Sequence, residues 1–175
     1  MTDPITLTPI GVIHTPYDEG FAPHQPVERD EGESTLVLDP DLAPALSDLE
    51  GFRYIYVISL LDKQAGPPRH RVKPPWAKGR EVGLFASRSP ARPNPIGLSV
   101  VRLLKIDGNV VTTSLVDVHD GTPLLDIKPY IRGLDSKHDA DTGWIADIED
   151  GDHALEHARG IPHDHDHHHG HGHDH

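Results

Sequence analysis

Hydrophobic and β-branched residues fall in short runs separated by turn residues, a pattern typical of β-strands. Residues 6–14 mix such side chains ahead of Pro16 and predict a first strand, and residues 34–38 predict a second, shorter one. Residues 52–61 are rich in Tyr, Ile and Val and carry a single charged residue, Arg53, so they predict a central strand.

Two further strand-like runs, residues 98–106 and 110–118, flank Asp107, Gly108 and Asn109. An Asp-Gly pair between two such runs is a strong hairpin signal, because glycine accepts the positive φ that a tight turn requires. The two runs therefore predict a β-hairpin.

The segments between the strands predict little regular helix. Asp41 is placed to cap a short helix that runs to Leu49, with Gly51 at its stop position. Residues 66–79 are basic and dense in proline, which lacks the backbone N–H of a regular ladder, so we expect a loop there. Residues 144–148 predict either one more strand or a segment packed against the core.

Several strands joined by turns predict a mainly all-β domain, a barrel or sandwich with short accessory helices. The chain has 175 residues, 35% of them hydrophobic, which suits one compact domain. We expect that domain over residues 1–150, a linker or short helix over residues 151–162, and a tail over residues 163–175. The tail composition supports no core, so we expect the tail to be disordered without metal.

Composition and missing motifs exclude several classes of protein. The chain has no cysteine, which removes disulfides, thiolate zinc sites and cysteine nucleophiles. Its lack of a long apolar run predicts no signal peptide or membrane span, and hence a soluble cytoplasmic protein. The core also lacks the Rossmann glycine fingerprint, the P-loop and the H-E-x-x-H zinc motif.

Charge is strongly segregated along the chain, whose net charge is −12. Residues 1–50 carry one basic and eleven acidic side chains, residues 51–105 carry eleven and two, and residues 106–175 carry four and fifteen. This distribution predicts a basic face able to hold a polyanion, with Lys78 and Arg80 as phosphate contacts. The alternative is a sequence fluctuation that creates no such face.

A proline-stiffened loop presents polar side chains between two strands. Residues 83–99 read GLFASRSPARPNPIGLS, and their three prolines leave Arg88, Arg92 and Asn94 little conformational freedom. A planar guanidinium matches a carboxylate or phosphate with two parallel hydrogen bonds, so this loop predicts anion binding. The alternative is a rigid loop whose arginines pair with the protein's own acids.

A second dense segment, residues 117–130, reads DVHDGTPLLDIKPY. Its turn is formed by Asp120, Gly121, Thr122 and Pro123, and it combines exposed backbone amides with a carboxylate. Such a turn is suited to a ribose or an amino group, although an ordinary surface turn has the same composition.

The two dense segments resemble those of the TrmO/TsaA-like family, the tRNA N6-threonylcarbamoyladenosine methyltransferases. The resemblance spans residues 7–131 and includes IGVIHTPY at residues 10–17 and LEGFRYIYVISLLD at residues 49–62. It implies a single-sheet β-barrel that binds S-adenosylmethionine, usually as a homodimer with the cofactor near the subunit contact. The implied reaction methylates N6 of the modified adenosine next to the tRNA anticodon.

The resemblance also implies a set of cofactor contacts in four parts of the chain. These are Pro23, His24 and Gln25 in a long loop, Asp62 and Lys63 after the central strand, Arg88, Leu98, and Asp120, Gly121, Thr122 and Pro123.

Methylation requires the acceptor nitrogen to lose a proton, so we looked for a base in the second segment. Asp120 is the first candidate, with Asp126, Lys128 and Tyr130 as alternatives. Arg92 and Lys128 are suited to grip the threonyl carboxylate or a phosphate. Asn94, Lys78 and Arg80 complete the predicted substrate contacts.

The tail predicts a second function, metal binding. Its eight histidines suit nickel, zinc or copper, and are His163, His165, His167, His168, His169, His171, His173 and His175. Compared with the longer members of the family that it resembles, the sequence is expected to lack a further C-terminal domain that helps to hold tRNA. A metal-handling or sensor protein and a small-molecule methyltransferase therefore remain alternatives, and a purification tag is the alternative origin of the tail.

Overall fold

The computed structural model describes residues 2–18, 32–63, 66–151 and 155, and their regular structure is mainly β-strand. The strands are β1 (Gly11–His14), β2 (Glu33–Leu38), β3 (Tyr54–Leu60), β4 (Arg71–Val72), β5 (Val82–Gly83), β6 (Ile96–Asp107), β7 (Val110–Ser114) and β8 (Thr122–Pro129). The short helices are α1 (Arg132–Asp135) and the 3-10 segments Pro40–Leu46, Leu49–Gly51, Leu84–Ala86 and Gly143–Asp147.

Six of these strands close into an antiparallel barrel in the order β1-β2-β7-β6-β3-β8. The predicted fold class, a mainly all-β single-sheet barrel with short accessory helices, is confirmed. The first half of β6 pairs with β3, from Ile96 opposite Leu60 to Arg102 opposite Tyr54. The second half pairs with β7, so this long strand links two sides of the barrel.

Alternation along the strands separates the barrel interior from its surface. In β3, Ile55 and Val57 are buried inside, while Tyr56 and Ile58, which alternate with them, lie on the outer face. The core cluster consists of Ile13, Leu36, Leu38, Leu46, Ile55, Val57, Val101, Val111, Val116, Val118 and Leu124.

The loops that carry parts of the sequence motifs all lie at the same end of the barrel. Because neighbouring strands are antiparallel, β1, β3 and β7 finish at the end where β2, β6 and β8 begin. We call it the motif end. The segments that follow β3 and β7, residues 61–95 and 115–121, both start there. The β6–β7 hairpin turn lies at the opposite end, where Gly108 has φ +59° and Asn109 Nδ2 donates to the Leu38 carbonyl at 2.7 Å.

Two predicted elements differ from the structure near the N-terminus. The first strand begins at Gly11 rather than residue 6, and Leu7 is 58% exposed. The predicted helix is two 3-10 segments that are separated at Ser47 and Asp48, and Pro44 lies inside the first of them. The cap of the first segment is Asp39, whose side chain accepts from the Asp41 N–H. Asp48, not Gly51, takes the left-handed backbone conformation.

Two further predictions need correction, those for residues 66–79 and 110–118, and one of the two alternatives for residues 144–148 is excluded. The basic segment 66–79 does contribute a ladder, because β4 pairs with β5 and its two residues contain no proline. The strand predicted over residues 110–118 ends at Ser114. Residues 144–148 add no strand; the 3-10 segment there packs Trp144 against a second small apolar cluster. None of the helices in the described ranges has the length and apolar character needed to cross a membrane.

Candidate functional site

Asp120 joins the end of β1 to the segment that precedes β8. Its Oδ1 accepts a hydrogen bond from the Thr15 backbone N–H at 3.1 Å and lies 3.1 Å from His14 Nδ1. Its own N–H donates to the Tyr17 carbonyl at 2.8 Å. These contacts bring together two sequence motifs that are more than 100 positions apart. We call this group of residues the Asp120 junction.

Lys63 and Gly121 extend the Asp120 junction toward β3. Lys63 Nζ donates to the Asp120 carbonyl, and the Gly121 N–H donates to the Ile13 carbonyl at 2.9 Å. Gly121 has φ +79°, and a Cβ there would lie 2.9 Å from Lys63 Nζ. The backbone at this position therefore favours glycine, and a Cβ there would displace the flexible end of the Lys63 side chain. The structure thus gathers three predicted cofactor residues, Lys63, Asp120 and Gly121.

The surroundings of Asp120 favour its ionised form. The hydrogen bond with His14, followed by the one from the Thr15 backbone, lowers the pKa of the Asp120 carboxyl below its ordinary value. The carboxylate is 54% exposed, so it remains accessible to a ligand. It offers a negative charge to a cationic or hydroxyl group but is a weak proton acceptor.

A more buried polar group lies inside the motif end. Ser99 Oγ donates to Asp117 Oδ1, and burial together with the Asp117 charge raises the pKa of Tyr17. Ser59 Oγ is buried and has no hydrogen-bond partner among the described residues, and it lies 2.5 Å from where a Cβ on Gly97 would stand. Sequence reasoning did not select these residues, because their pairing depends on strand register.

Residues 83–99, which we call the arginine loop, are held by contacts of Arg92 with the loop's own backbone. Arg92 Nη1 donates to the carbonyls of Ser87 at 2.9 Å, Ser89 at 3.3 Å and Leu84 at 3.4 Å. The Arg92 guanidinium also lies 5.6 Å from the centre of the Phe85 ring. Arg92 therefore stabilises the loop that presents Arg88, in addition to any contact with substrate.

The remaining predicted positions in this loop lie at the surface. Arg88 and Asn94 are exposed. The Leu61 N–H donates to the Pro95 carbonyl at 2.7 Å, which ties the end of the loop to the residue before Asp62. Asp62 itself is exposed in the turn that follows β3.

Lys78 and Arg80 contact acidic residues of the C-terminal part of the described chain. Lys78 Nζ donates to the Glu149 carbonyl at 2.8 Å and lies 3.6 Å from an Asp150 carboxylate oxygen. Arg80 Nη2 lies 3.2 Å from Asp147 Oδ2. These pairs partly neutralise the two basic side chains that the sequence predicted as phosphate contacts.

Three alternative bases lie far from Asp120 within one chain. Lys128 follows Asp120 by most of the length of β8, roughly 20 Å at about 3.3 Å per residue. Its Nζ lies 3.0 Å from Asp126 Oδ2. The Tyr130 ring centre is 5.5 Å from that of Tyr56, whose pKa is raised by burial and by Asp135. These residues form a separate group toward the opposite end of the barrel.

An apolar patch covers the outer face of β3 and β6. Leu98 is 62% exposed, and Ile96 and Val100 on either side of it along the strand face are also exposed. Leu98 is paired with Ile58 of β3. We call this surface the β3–β6 face.

Some predicted residues lie outside the described part of the chain. They are the loop residues Pro23, His24 and Gln25 and the eight tail histidines. Within the described ranges, no group of three or more His, Cys, Asp or Glu side chains is arranged to hold a metal ion.

Comparison with known proteins gives a consistent family match. The family described as tRNA-methyltransferase O N-terminal domain matches residues 12–136. A probable S-adenosyl-L-methionine-binding protein of Pyrococcus abyssi is 40% identical over 89% of this chain and 82% of its own length. The tRNA (adenine(37)-N6)-methyltransferase of Escherichia coli is 38% identical over 77% of this chain.

A solved structure has the same architecture. The crystal structure of TrmO from Pseudomonas aeruginosa matches with a TM-score of 0.69 and 35% identity over 85% of this chain. This chain spans 64% of that structure and 61% of the E. coli enzyme, so both relatives contain sequence that it does not match.

Proposed function

The chain belongs to the tRNA-methyltransferase O family, and from this we propose that it methylates N6 of an adenosine next to the anticodon of tRNA. The methyl donor is S-adenosylmethionine, and the acceptor is the threonylcarbamoyl derivative of that adenosine. The family match over residues 12–136 supports the reaction class. A tRNA substrate also favours a cytoplasmic location.

The observation that carries the proposal is the Asp120 junction. Its chemistry fits S-adenosylmethionine, because an exposed, ionised carboxylate suits the cationic or hydroxyl groups of that molecule. Lys63, together with Arg88 at the same end of the barrel, provides cations for its carboxylate. We propose that Lys63, Asp120 and Gly121 hold the cofactor with Thr122, Pro123, Asp62, Arg88, Leu98 and the loop residues Pro23, His24 and Gln25. When bound, S-adenosylmethionine supplies the methyl group.

We propose that the protein acts as a homodimer through the β3–β6 face. A second copy is the favoured occupant because the closed barrel offers no strand edge for pairing, whereas Leu98 exposes 62% of its surface. Substrate contacts by Lys128 or Tyr130 would then come from a different subunit than Asp120.

Sedimentation should show Leu98→Glu as a monomer, while Leu134→Glu, an exposed leucine on α1, stays dimeric. Unchanged assembly of Leu98→Glu would contradict this interface.

Titration and methylation assays test the activity. We expect binding of S-adenosylmethionine by calorimetry, followed by methyl transfer to tRNA that carries threonylcarbamoyladenosine and none to tRNA that lacks it. Arg88→Lys should lower cofactor affinity, because the two-pronged guanidinium is lost. Cofactor binding without transfer to tRNA would favour a small-molecule acceptor instead.

For the tail we propose a separate metal-binding role. Its eight histidines support loose binding of several nickel, zinc or copper ions, with affinity falling below about pH 6 as imidazoles gain protons. Nickel titration of the full chain and of a chain ending at Arg159 tests this, and only the full chain should bind several ions. Cofactor affinity should be equal in both. A strict metal requirement for methyl transfer would contradict the separation of the two roles.

A further inference from the structure

We infer that His14 accepts the proton from the methyl-accepting nitrogen and that Asp120 is a positioning residue for it. This inference rests on the proposed methyl transfer to tRNA. It assigns the base to a residue at the end of β1, outside the segment in which sequence reasoning placed it.

The geometry leaves one ring nitrogen of His14 available. Nδ1 lies 3.1 Å from Asp120 Oδ1, and this carboxylate accepts a proton from the ring but cannot donate one while ionised. The neutral ring therefore carries its hydrogen on Nδ1, which leaves the lone pair on Nε2. The His14 side chain is 52% exposed, so Nε2 is accessible to a substrate at the Asp120 junction.

Asp120 is better suited to orient the ring than to take the proton. The same oxygen, Oδ1, already accepts the Thr15 N–H, and the contacts that hold it favour its charged form. The negative carboxylate stabilises the imidazolium that forms when His14 gains a proton. The arrangement is a base oriented by a carboxylate, as in many hydrolytic sites.

The other ionisable groups around His14 are less suitable. Lys63 donates to the Asp120 carbonyl and, as an ammonium group, has no lone pair. Glu33 lies on β2 two positions before Thr35, the residue paired with His14. His119 donates from Nδ1 to the Asp18 carbonyl at 2.6 Å and so also keeps a lone pair on Nε2, but its partner is a neutral carbonyl, which stabilises an imidazolium less than the carboxylate beside His14 does. The charged groups on the elements packed around His14 are therefore Asp120, Glu33 and Lys63.

The step balances without any further reactant. The lone pair of N6 forms a bond to the methyl carbon while the carbon–sulfur bond breaks, and that electron pair stays on sulfur. The N6 proton moves to His14 Nε2, and the imidazolium later releases it to solvent. The products are the N-methylated nucleoside, a neutral thioether and a proton.

The most informative variant is His14→Asn. Its side-chain amide can still donate to Asp120 from the position of Nδ1, but it offers no base at the position of Nε2. We expect kcat to fall by about 10²- to 10⁴-fold. The dissociation constant for S-adenosylmethionine and the KM for tRNA should change less than about threefold. His138→Asn, an exposed histidine beyond α1, is the control and should retain kcat.

Two readouts separate a base from a structural residue. In the wild type, kcat should rise with pH across the range where histidines ordinarily titrate, about pH 5 to 8, and this rise should be absent in His14→Asn. In His14→Ala, added imidazole should restore part of kcat, which a structural histidine would not show. Asp120→Asn should lower kcat without removing the rise with pH.

Several results would overturn the inference. Full kcat in His14→Asn, an unchanged pH profile, or loss of cofactor binding in place of kcat would each contradict a role in proton transfer. If the wild-type chain binds cofactor but methylates no tRNA, the proposed function fails first, and this assignment fails with it. That result is visible before any variant is made.

Discussion

At the scale of single residues, the candidate site depends on how Asp120 is held. Its carboxylate accepts hydrogen bonds from a strand residue and a backbone amide that precede it by more than 100 positions. The same residue therefore contributes to the folded state and to the chemistry of the surface it presents. Both contributions depend on its charge.

The lowered pKa of Asp120 makes part of the stability depend on pH. A carboxyl group whose folded-state pKa is below its unfolded value of roughly 3.9 contributes stability above that value, and this contribution is lost as pH falls through the folded pKa. Urea unfolding should therefore show Asp120→Asn less stable than wild type at pH 6, with the difference shrinking below about pH 4. A pH-independent deficit of Asp120→Asn would contradict the ionic origin.

Gly121 and Gly108 form a matched pair for testing the approach of Lys63. Both have positive φ, but a Cβ on Gly108 would meet nothing within 4 Å, whereas one on Gly121 would meet Lys63 Nζ at 2.9 Å. Each change to alanine should cost about 1–2 kcal/mol of unfolding free energy from the left-handed backbone. Only Gly121→Ala should also weaken binding of S-adenosylmethionine, measured by calorimetry. Equal cofactor affinity in both variants would exclude a role for the Lys63 contact.

The sequence predicted the acidic turn but not its partner. Asp120 and Gly121 are selected by their composition as a turn, which is a local property. His14 and Thr15 join them only because β1 pairs with β8, with Ile13 opposite Thr122. Long-range register of this kind has no local signal. The sequence therefore predicted Asp120 and Gly121 but not their contacts with His14 and Thr15.

At the scale of elements, the 3-10 segment Gly143–Asp147 holds the arginine loop from outside the barrel. The Trp144 ring stacks on Trp76 at 5.3 Å and 12°, and its Nε1–H donates to the Ala86 carbonyl at 2.8 Å. Arg80 lies 5.7 Å from the centre of the same ring. The segment thus stabilises the start of the loop that carries Arg88.

Trp144→Ala should detach this segment from the β4–β5 ribbon. We expect a loss of about 1–3 kcal/mol of unfolding free energy, because the ring is only partly buried, and a weaker affinity for S-adenosylmethionine through the freed loop. Trp144→Phe keeps the ring stack but not the bond to Ala86, and should show an intermediate loss. Wild-type cofactor affinity in Trp144→Ala would mean that the segment does not position the loop.

The strength of each element's local signal explains how well it was predicted. The central strand was placed to within two residues, since its β-branched and aromatic residues agree with its buried position. The helix after β2 was misjudged because Pro44 removes a backbone donor that an α-helix needs. The β4–β5 ribbon was missed because two-residue strands carry almost no periodic signal.

At the scale of the whole molecule, the basic side chains differ in whether they already pair with an acidic residue of the protein. Lys78 and Arg80 are paired with Asp150 and Asp147, whereas Arg69 and Lys73 have no carboxylate partner within the described ranges. RNA contacts by Arg69 and Lys73 would therefore displace counterions without first breaking an ion pair.

The salt dependence of tRNA binding tests this difference. The double variant Arg69→Ala, Lys73→Ala should weaken binding and reduce the slope of log affinity against log salt by about 2, one for each phosphate contact. Lys78→Ala, Arg80→Ala should change the slope less. Filter binding between about 50 and about 200 mM salt measures both slopes. A larger effect of the second pair would restore the phosphate contacts predicted from sequence.

The closure of the barrel by β1 and β8 sets an order of folding. The β6–β7 hairpin joins adjacent segments, and β3 pairs with β6 across 36 to 48 positions, while His14 and Asp120 are 106 positions apart. Pairings of large sequence separation form late, because the loop between them must be closed first. During synthesis one edge of β1 can pair with β2 early, whereas its other edge must wait for β8 to emerge from the ribosome. Binding of S-adenosylmethionine would then report completion of the fold, and nascent chains that end before β8 would be unable to bind it.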